Sequence, residues 1–597
     1  ISNGTLQIGD GGTSGSIAHQ VITNNAALIV TRSDAVVLTN VIQGSGTVTQ
    51  SGAGTLSLTA TNTYSGGTVV HAGTLKAGGS STGNVTDGPF GTGLVTVADG
   101  AALDLNGNTI ANTLTVTGTG VLNSGALLNS AASGATVDGV VTLAGATTIK
   151  STGALTFGAA IEGASDLTVV GAGDVTFEMA LGTDTALSSI DVTGANIALS
   201  DVTTTGTQLF TATGVIDTNS TYTTAGNHIT FAGDVVANSA LVIDTTDASS
   251  AGATVTFAGT LDSEATQANT LDITAGAGDI NFGGAVGSST ALGAVTINSV
   301  DTLDTDDVFK AASFTQTGGS TLTQFAGAVT LTGNFDFTGQ ALTLNAALGS
   351  GGTVDVNNSG LFNTADTADL TVGGQFTQDG SGSSSIGADI TATAGMDFAK
   401  GIVLTGSGLI TLATGGATGQ DIVLGTDAST DITGTGQALT LNAGDFGDIT
   451  AKGDVGAAGA ELGDITIVGA DQVTFEQAIV AASFTQTAAA STGLTTVAGA
   501  LDLGGAFDFT GQALTLNGAG SVVDGPMDVT NAGLFTTADA SDLTVTGEFK
   551  QDGTGSSSLG GDLSATAGID FATSIALAGS DAVTLVTGGA VGQDIVL

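Results

Sequence analysis

Whole phrases of this chain return about 170 residues later, and the distance between the copies drifts. "AASFTQT" occurs at 311–317 and again at 481–487, an offset of 170. "FDFTGQALTLN" occupies 335–345 and 507–517, an offset of 172, and the stretch 359–399 is echoed by 532–572 at 173. A shorter theme recurs as well. It reads "GDVTFEMALGTDTALSSIDVTG" from Gly173, "GDINFGGAVGSSTALGAVTINS" from Gly278 and "GDITAKGDVGAAGAELGDITIV" from Gly447. Internal repetition of this kind belongs to stacked arrays, in which each unit buries its apolar face only against its neighbours. The drift narrows the choice further. An extra residue at the corner of a solenoid bulges outward and leaves the stack intact, whereas the closed core of a sandwich tolerates it poorly.

Within the repeats the local period is two. "GTVTQSGAGTLSLTA" (46–60), "GLVTVADGAALDLNGN" (93–108), "NTLTVTGTGVL" (112–122) and "GQALTLN" (339–345) alternate apolar with polar residues over four to six positions, broken by Gly, Asn, Asp or Ser-Gly. Alternation sends Val, Leu, Ile and Phe to one side of a strand and Thr, Ser or Asp to the other. The 95 glycines, with Asn and Asp, permit the sharp corners between strands. The spacing predicts coils of roughly 20–25 residues, hence about seven or eight coils per long repeat, and a rod on the order of 120–140 Å at about 4.8 Å per coil. Phe335 and Phe337, with their counterparts Phe507 and Phe509, are expected on the inner face, stacked at matching places in successive units.

Composition excludes several classes of partner. Hydrophobic residues make up 41% of the chain, too many for a disordered segment. The charge balance is 54 acidic against 7 basic residues, net −47, so the chain cannot neutralise a phosphate backbone and nucleic-acid binding is not expected. No run reaches the roughly 18–20 apolar residues of a membrane helix. With no cysteine there are neither disulfides nor thiolate metal sites.

Residues 43–79, "QGSGTVTQSGAGTLSLTATNTYSGGTVVHAGTLKAGG", resemble the passenger-associated repeat of bacterial autotransporters, through G-x-G-x-V, G-x-G-T-L-x-L, N-T-Y-x-G-G-T and G-T-L. Residues 88–109 resemble the stretch that commonly follows that repeat, and phrases from about 165 onward are similar to repeats of filamentous-haemagglutinin-like secreted proteins. The resemblance implies an all-β, right-handed parallel β-helix, secreted to the extracellular surface of a Gram-negative bacterium. "ISNGTLQIGDGG" (1–12) aligns with "VHAGTLKAGGSS" (70–81), so the chain is expected to start within a repeat and to be part of a longer protein. The expected organisation is autotransporter-type repeats over 1–160, haemagglutinin-like coils over 161–277, one long repeat over 278–446 and a second, shortened one over 447–597.

Candidate chemistry is sparse. Pectin-lyase-like enzymes share the β-helix and need a basic proton acceptor beside acidic groups. Here Arg32, Lys76, Lys150, Lys310, Lys400, Lys452 and Lys550 are scattered singly, and His19, His71 and His228 have no repeating partners nearby. No nucleophile elbow, His-Glu-x-x-His or phosphate loop is present, so catalysis is not expected. "GGATGQDIVL" (415–424) and "GGAVGQDIVL" (588–597) come within one inserted residue of a calcium-binding nonapeptide. Asp421 and Asp594 are therefore candidate Ca²⁺ ligands, although a turn-forming role is preferred for both. Diffuse cation binding by the acidic surface is expected before either single site. Thr-x-Thr phrases are read as ordinary strand residues. The expected function is an extracellular structural or adhesive solenoid, contributing to a surface layer, filament or matrix, with self-association or surface glycans as partners. The alternative is a carbohydrate-active β-helix enzyme or a specific adhesin of host cells.

Overall fold

The structure, a computed structural model, describes residues 1–18, 20–247, 251–487 and 493–597; His19 lies outside them. The described chain is almost entirely strand, turn and corner, with a 3₁₀ turn at Val121–Asn123. It divides into two compact units, Ile1–Asp301 and Thr302–Leu597. In each, short strands pair in parallel with the equivalent strand one coil further along the chain, which makes each a β-solenoid.

The step between paired residues varies more widely than the expected 20–25. In the first unit it is 18 from Val192 to Phe210 and 30 from Leu241 to Leu271. In the second it is 18 from Ser384 to Ile402 and 30 from Ile402 to Ile432. The variation falls at corners, where added residues leave the ladder undisturbed. One corner shows how. Thr323 Oγ1 donates to Gln316 Oε1 at 2.9 Å across seven positions, and Thr495 Oγ1 donates to Gln486 Oε1 at 2.9 Å across nine. The same buried bond closes both corners, so two added residues account for the drift in offset from 170 to 172.

Alternation sets what is buried. In Phe335–Gly339 the rings of Phe335 and Phe337 point inward and are buried, as expected, while Asp336 faces out. Parallel stacking in register then places like on like. Phe210, Phe231, Phe257 and Phe282 form one column, with ring centroids 5.5, 5.0 and 5.3 Å apart. The second unit stacks Phe314 on Phe335 at 5.1 Å and, in the other copy of the repeat, Phe484 on Phe507 at 5.0 Å. Each such ring removes enough apolar surface from water to contribute roughly 1.5–3 kcal/mol, before the extra gain of an aromatic pair. Corners are close-packed too. A Cβ on Gly382 would lie 1.6 Å from the Gly360 carbonyl oxygen, and one on Gly555 would lie 1.6 Å from that of Gly533.

Three ladders of strands run side by side in the second unit. One passes through Phe335, Val354, Phe376, Met396, Ile422, Ile449, Val473, Thr495 and Leu514. The sequence counterparts Phe507, Met527, Phe549, Ile569 and Ile595 follow one another on a different ladder. Counted from Phe335, Thr495 is the seventh further rung and Leu514 the eighth. Phe507 falls between them, after the strand Leu501–Leu503. The long repeat therefore takes seven turns and two-thirds of another, and 172 residues over that path is about 22 per turn. The first unit behaves alike. From Val175 the ladder runs through Ile197, Ile216, Val235 and Leu261, four turns on. Its counterpart Ile280 sits two strands later, on the ladder of Gln208, Ile229 and Val255. In both units a repeated segment returns one sheet over from its original.

Candidate functional site

Asp421 follows a tight corner in which Gly416 and Gly419 have φ of 79° and 77°. The Ala417 N–H donates to Gln420 Oε1 at 2.7 Å, and Thr414 Oγ1 donates to the Gln420 carbonyl at 2.6 Å. The second copy repeats the corner, with Gly589 and Gly592 at 76° and 88° and the equivalent bonds at 2.7 and 2.9 Å. The Asp421 carboxylate accepts the N–H of Asp448 at 2.9 Å, and that of Asp448 accepts the N–H of Gln472 at 3.0 Å. Burial, then the like charges of Asp421 and Asp471, pushes the Asp448 carboxyl up, against the bond from Gln472. Asp594 is exposed, and its carbonyl accepts the Ile569 N–H at 3.0 Å. Among the described residues no three His, Asp or Glu side chains form a metal-holding group.

The Asp421–Asp448 arrangement recurs as a device that ties one coil to the next. Asp431 accepts from Asp454 at 3.0 Å, and Asp454 accepts from Ala478 at 2.9 Å. Asp389 accepts from Thr411, and its counterpart Asp562 from Thr584, both at 2.7 Å. A carboxylate at a strand entrance thus captures the backbone N–H that its own coil cannot satisfy, through a charge-assisted bond.

A second group of acids lies on the strands themselves. Asp336, Asp355, Thr377 and Asp397 are successive partners in register, outward on four adjacent rungs, and Asp379 lies two residues beyond Thr377. Adjacent rungs stand about 4.8 Å apart, so the carboxylates of Asp336 and Asp355 repel one another at close range. Burial pushes the carboxyls of Asp336, Asp355 and Asp397 up. The charges of Asp379 and Asp336 add to the effect at Asp355, and that of Asp379 at Asp397.

The second copy changes one member of this column. Asp508, Asp528, Lys550 and Asp570 are in register, with Lys550 where the first copy has Thr377. The Lys550 ammonium pairs with Asp552, which also accepts from Thr530 Oγ1 at 2.7 Å. Those two bonds, that of Lys550 foremost, hold the Asp552 carboxyl below the usual carboxylate range. Asp528 is still pushed up, first by burial. The sequence carries a signal for each outward Asp, although not for the stacking. An Asp between two apolar strand residues ("FDF", "VDV", "MDF", "IDF") cannot be a turn former, since the flanking residues must both face inward.

The basic residues are distributed along the chain. Arg32 pairs with Asp34 at 2.7 Å, Lys76 with the buried Asp104 at 3.2 Å, and Lys452 with Glu476. His228 Nδ1 accepts the Thr254 N–H at 3.2 Å. A cleft of about 670 Å³ near the start of the first unit is walled by Ile17, Val21, Val36 and Leu38, and the charged residue lining it is the paired Arg32.

Residues 48–77 are matched by the family model of the passenger-associated-transport-repeat. These residues fall within the 43–79 stretch read from sequence, and they fold as coils of the first unit. Thr47–Gln50 pairs in parallel with Thr68–Val70, and Thr55–Leu58 with Thr74–Ala77. No curated protein and no solved structure matches the chain.

Proposed function

We propose that this protein is an extracellular, non-enzymatic structural or adhesive solenoid of a Gram-negative cell surface, carried there as passenger material of the autotransporter type. The observation that supports this most is the passenger-associated-transport-repeat at 48–77, built into the same parallel stack as the coils around it. The role is mechanical. Every rung is held to the next by backbone bonds, inner side chains stack in register, and net charge of −47 keeps the outside solvated. Neighbouring copies of the chain or surface glycans are the partners such a surface would meet. Protease treatment of intact cells tests the location. The chain should be lost while cytoplasmic markers survive; a chain protected until the cells are lysed would contradict a surface location. Deletion then separates the roles. A structural component leaves a disordered cell surface in electron micrographs, and an adhesive one leaves the surface unchanged and lowers attachment.

A further inference from the structure

The two copies of the long repeat place the same strands on different sheets, yet keep the same outward column with one change, Thr377 in the first and Lys550 in the second. We propose that the Asp336–Asp355–Asp397 column is a proton-titrated joint between coils, which tightens on acidification, and that the positive charge of Lys550 weakens the same response in the second copy.

The geometry carries this. Backbone bonds fix the spacing of consecutive rungs in a parallel ladder, so outward side chains in register stay neighbours. Asp336 and Asp355 are direct neighbours, and Asp397 faces Thr377, which offers them no charge. The charged groups around the column are known. Asp379 lies beyond Thr377, and Asp421 opens the next rung, whose facing residue is Val423. The rung before contributes Thr315. Lys400 begins the corner after Asp397, and its charge acts on Asp427. The neighbours of Asp336 and Asp355 are therefore acidic or neutral, and Lys400, which the second copy replaces with Thr573, is the cation beyond the Asp397 end. In the second copy Lys550 stands between Asp528 and Asp570 and pairs with Asp552.

The sign follows from linkage. Carboxyls held above their unfolded value bind more protons when folded. The folded coils therefore gain stability as pH falls through the raised values, and the gain is complete below the ordinary carboxylate pKa of about 4. Hydrogen exchange of the full chain, with rates corrected for intrinsic pH dependence, reads this rung by rung. Between pH 7 and the ordinary carboxylate value of about 4, protection of 335–339, 354–358 and 396–398 should rise, and that of 507–511, 527–531 and 569–571 by less. Thr377→Lys should flatten the rise in the first copy, and Lys550→Thr should enlarge it in the second. The second variant decides alone if the first fails to fold. An unchanged pH response in either folded variant would overturn the proposal. So would a response that disappears when a chelator is present, since a bound metal ion would then be carrying it.

Discussion

Truncating Phe376 to Ala removes a ring that is 0% exposed and lies 5.0 Å from Phe398 and 6.1 Å from Phe362. Its rung is fixed by parallel pairing to Val354 on one side and Met396 on the other, so the coil cannot collapse into the space. The loss should therefore sit within the range of fully buried aromatic truncations, about 3–5 kcal/mol. Phe549 occupies the same place in the second copy, with rings at 5.0 and 5.9 Å and Met527 and Ile569 as rung partners. Phe549→Ala should cost the same to within about 0.5 kcal/mol, and the double variant should be additive to that margin, because the sites share no contact. Coils in a stack lean mainly on their neighbours, so the loss is read locally, as the opening free energy of amides in 354–398 and in 527–571 by hydrogen exchange. A cost below about 1.5 kcal/mol at either site, or a loss spread evenly over both copies from one substitution, would refute the stacked-coil reasoning.

Gly555→Ala drives a Cβ to 1.6 Å from the Gly533 carbonyl and should cost about 1–3 kcal/mol, whereas Gly349→Ala, whose nearest neighbour is 3.9 Å away, should leave thermal melting nearly unchanged. Tyr64→Phe deletes a buried hydroxyl 2.6 Å from Thr68 Oγ1, while Thr68 keeps its bond to the Phe90 carbonyl, so urea unfolding should show a loss of about 1 kcal/mol. Burial pushes the Tyr64 phenol up, so the phenolate absorbance band should lack its contribution at pH values where free tyrosine, with a pKa of about 10, ionises. Asp454→Ala strands the Ala478 N–H and should loosen that corner by about 1 kcal/mol, while Asp454→Asn, which keeps an acceptor oxygen, should recover most of it in the same exchange measurement.

Much of the architecture is legible in the sequence because its causes are local. Period-two alternation says which residues face inward, and it places Phe335, Phe337, Phe507 and Phe509 correctly. Drifting offsets say that length changes are absorbed at corners, as the two closures at Thr323 and Thr495 show. Alternation does not say which of three sheets a strand joins. That depends on the summed lengths of every corner in between, and errors of a few residues per coil accumulate to a whole face over 172 residues. The displacement of Phe507 from the ladder of Phe335 is therefore invisible until register is known. The acidic columns were hidden for the same reason. Asp336, Asp355 and Asp397 are far apart in sequence and meet only through pairing, and a composition dominated by Asp beside Gly draws attention to turns instead. At Asp421 the sequence marked the glycine corner, while the bond to the next coil's Asp448 depended on which residue the following coil presents.

Paired cysteines test the displaced solenoid most directly, on a chain that has no cysteine of its own. Thr496 and Thr515 are register partners on one sheet, and Asp508, between them in sequence, lies on the next. Register partners about 4.8 Å apart fall within the span of a disulfide. Thr496→Cys with Thr515→Cys should oxidise to a disulfide, and Thr496→Cys with Asp508→Cys should remain reduced under the same conditions. A repeat that closed on whole turns would put Asp508 on the sheet of Asp336, and the reverse pattern of cross-linking would contradict the fold described here.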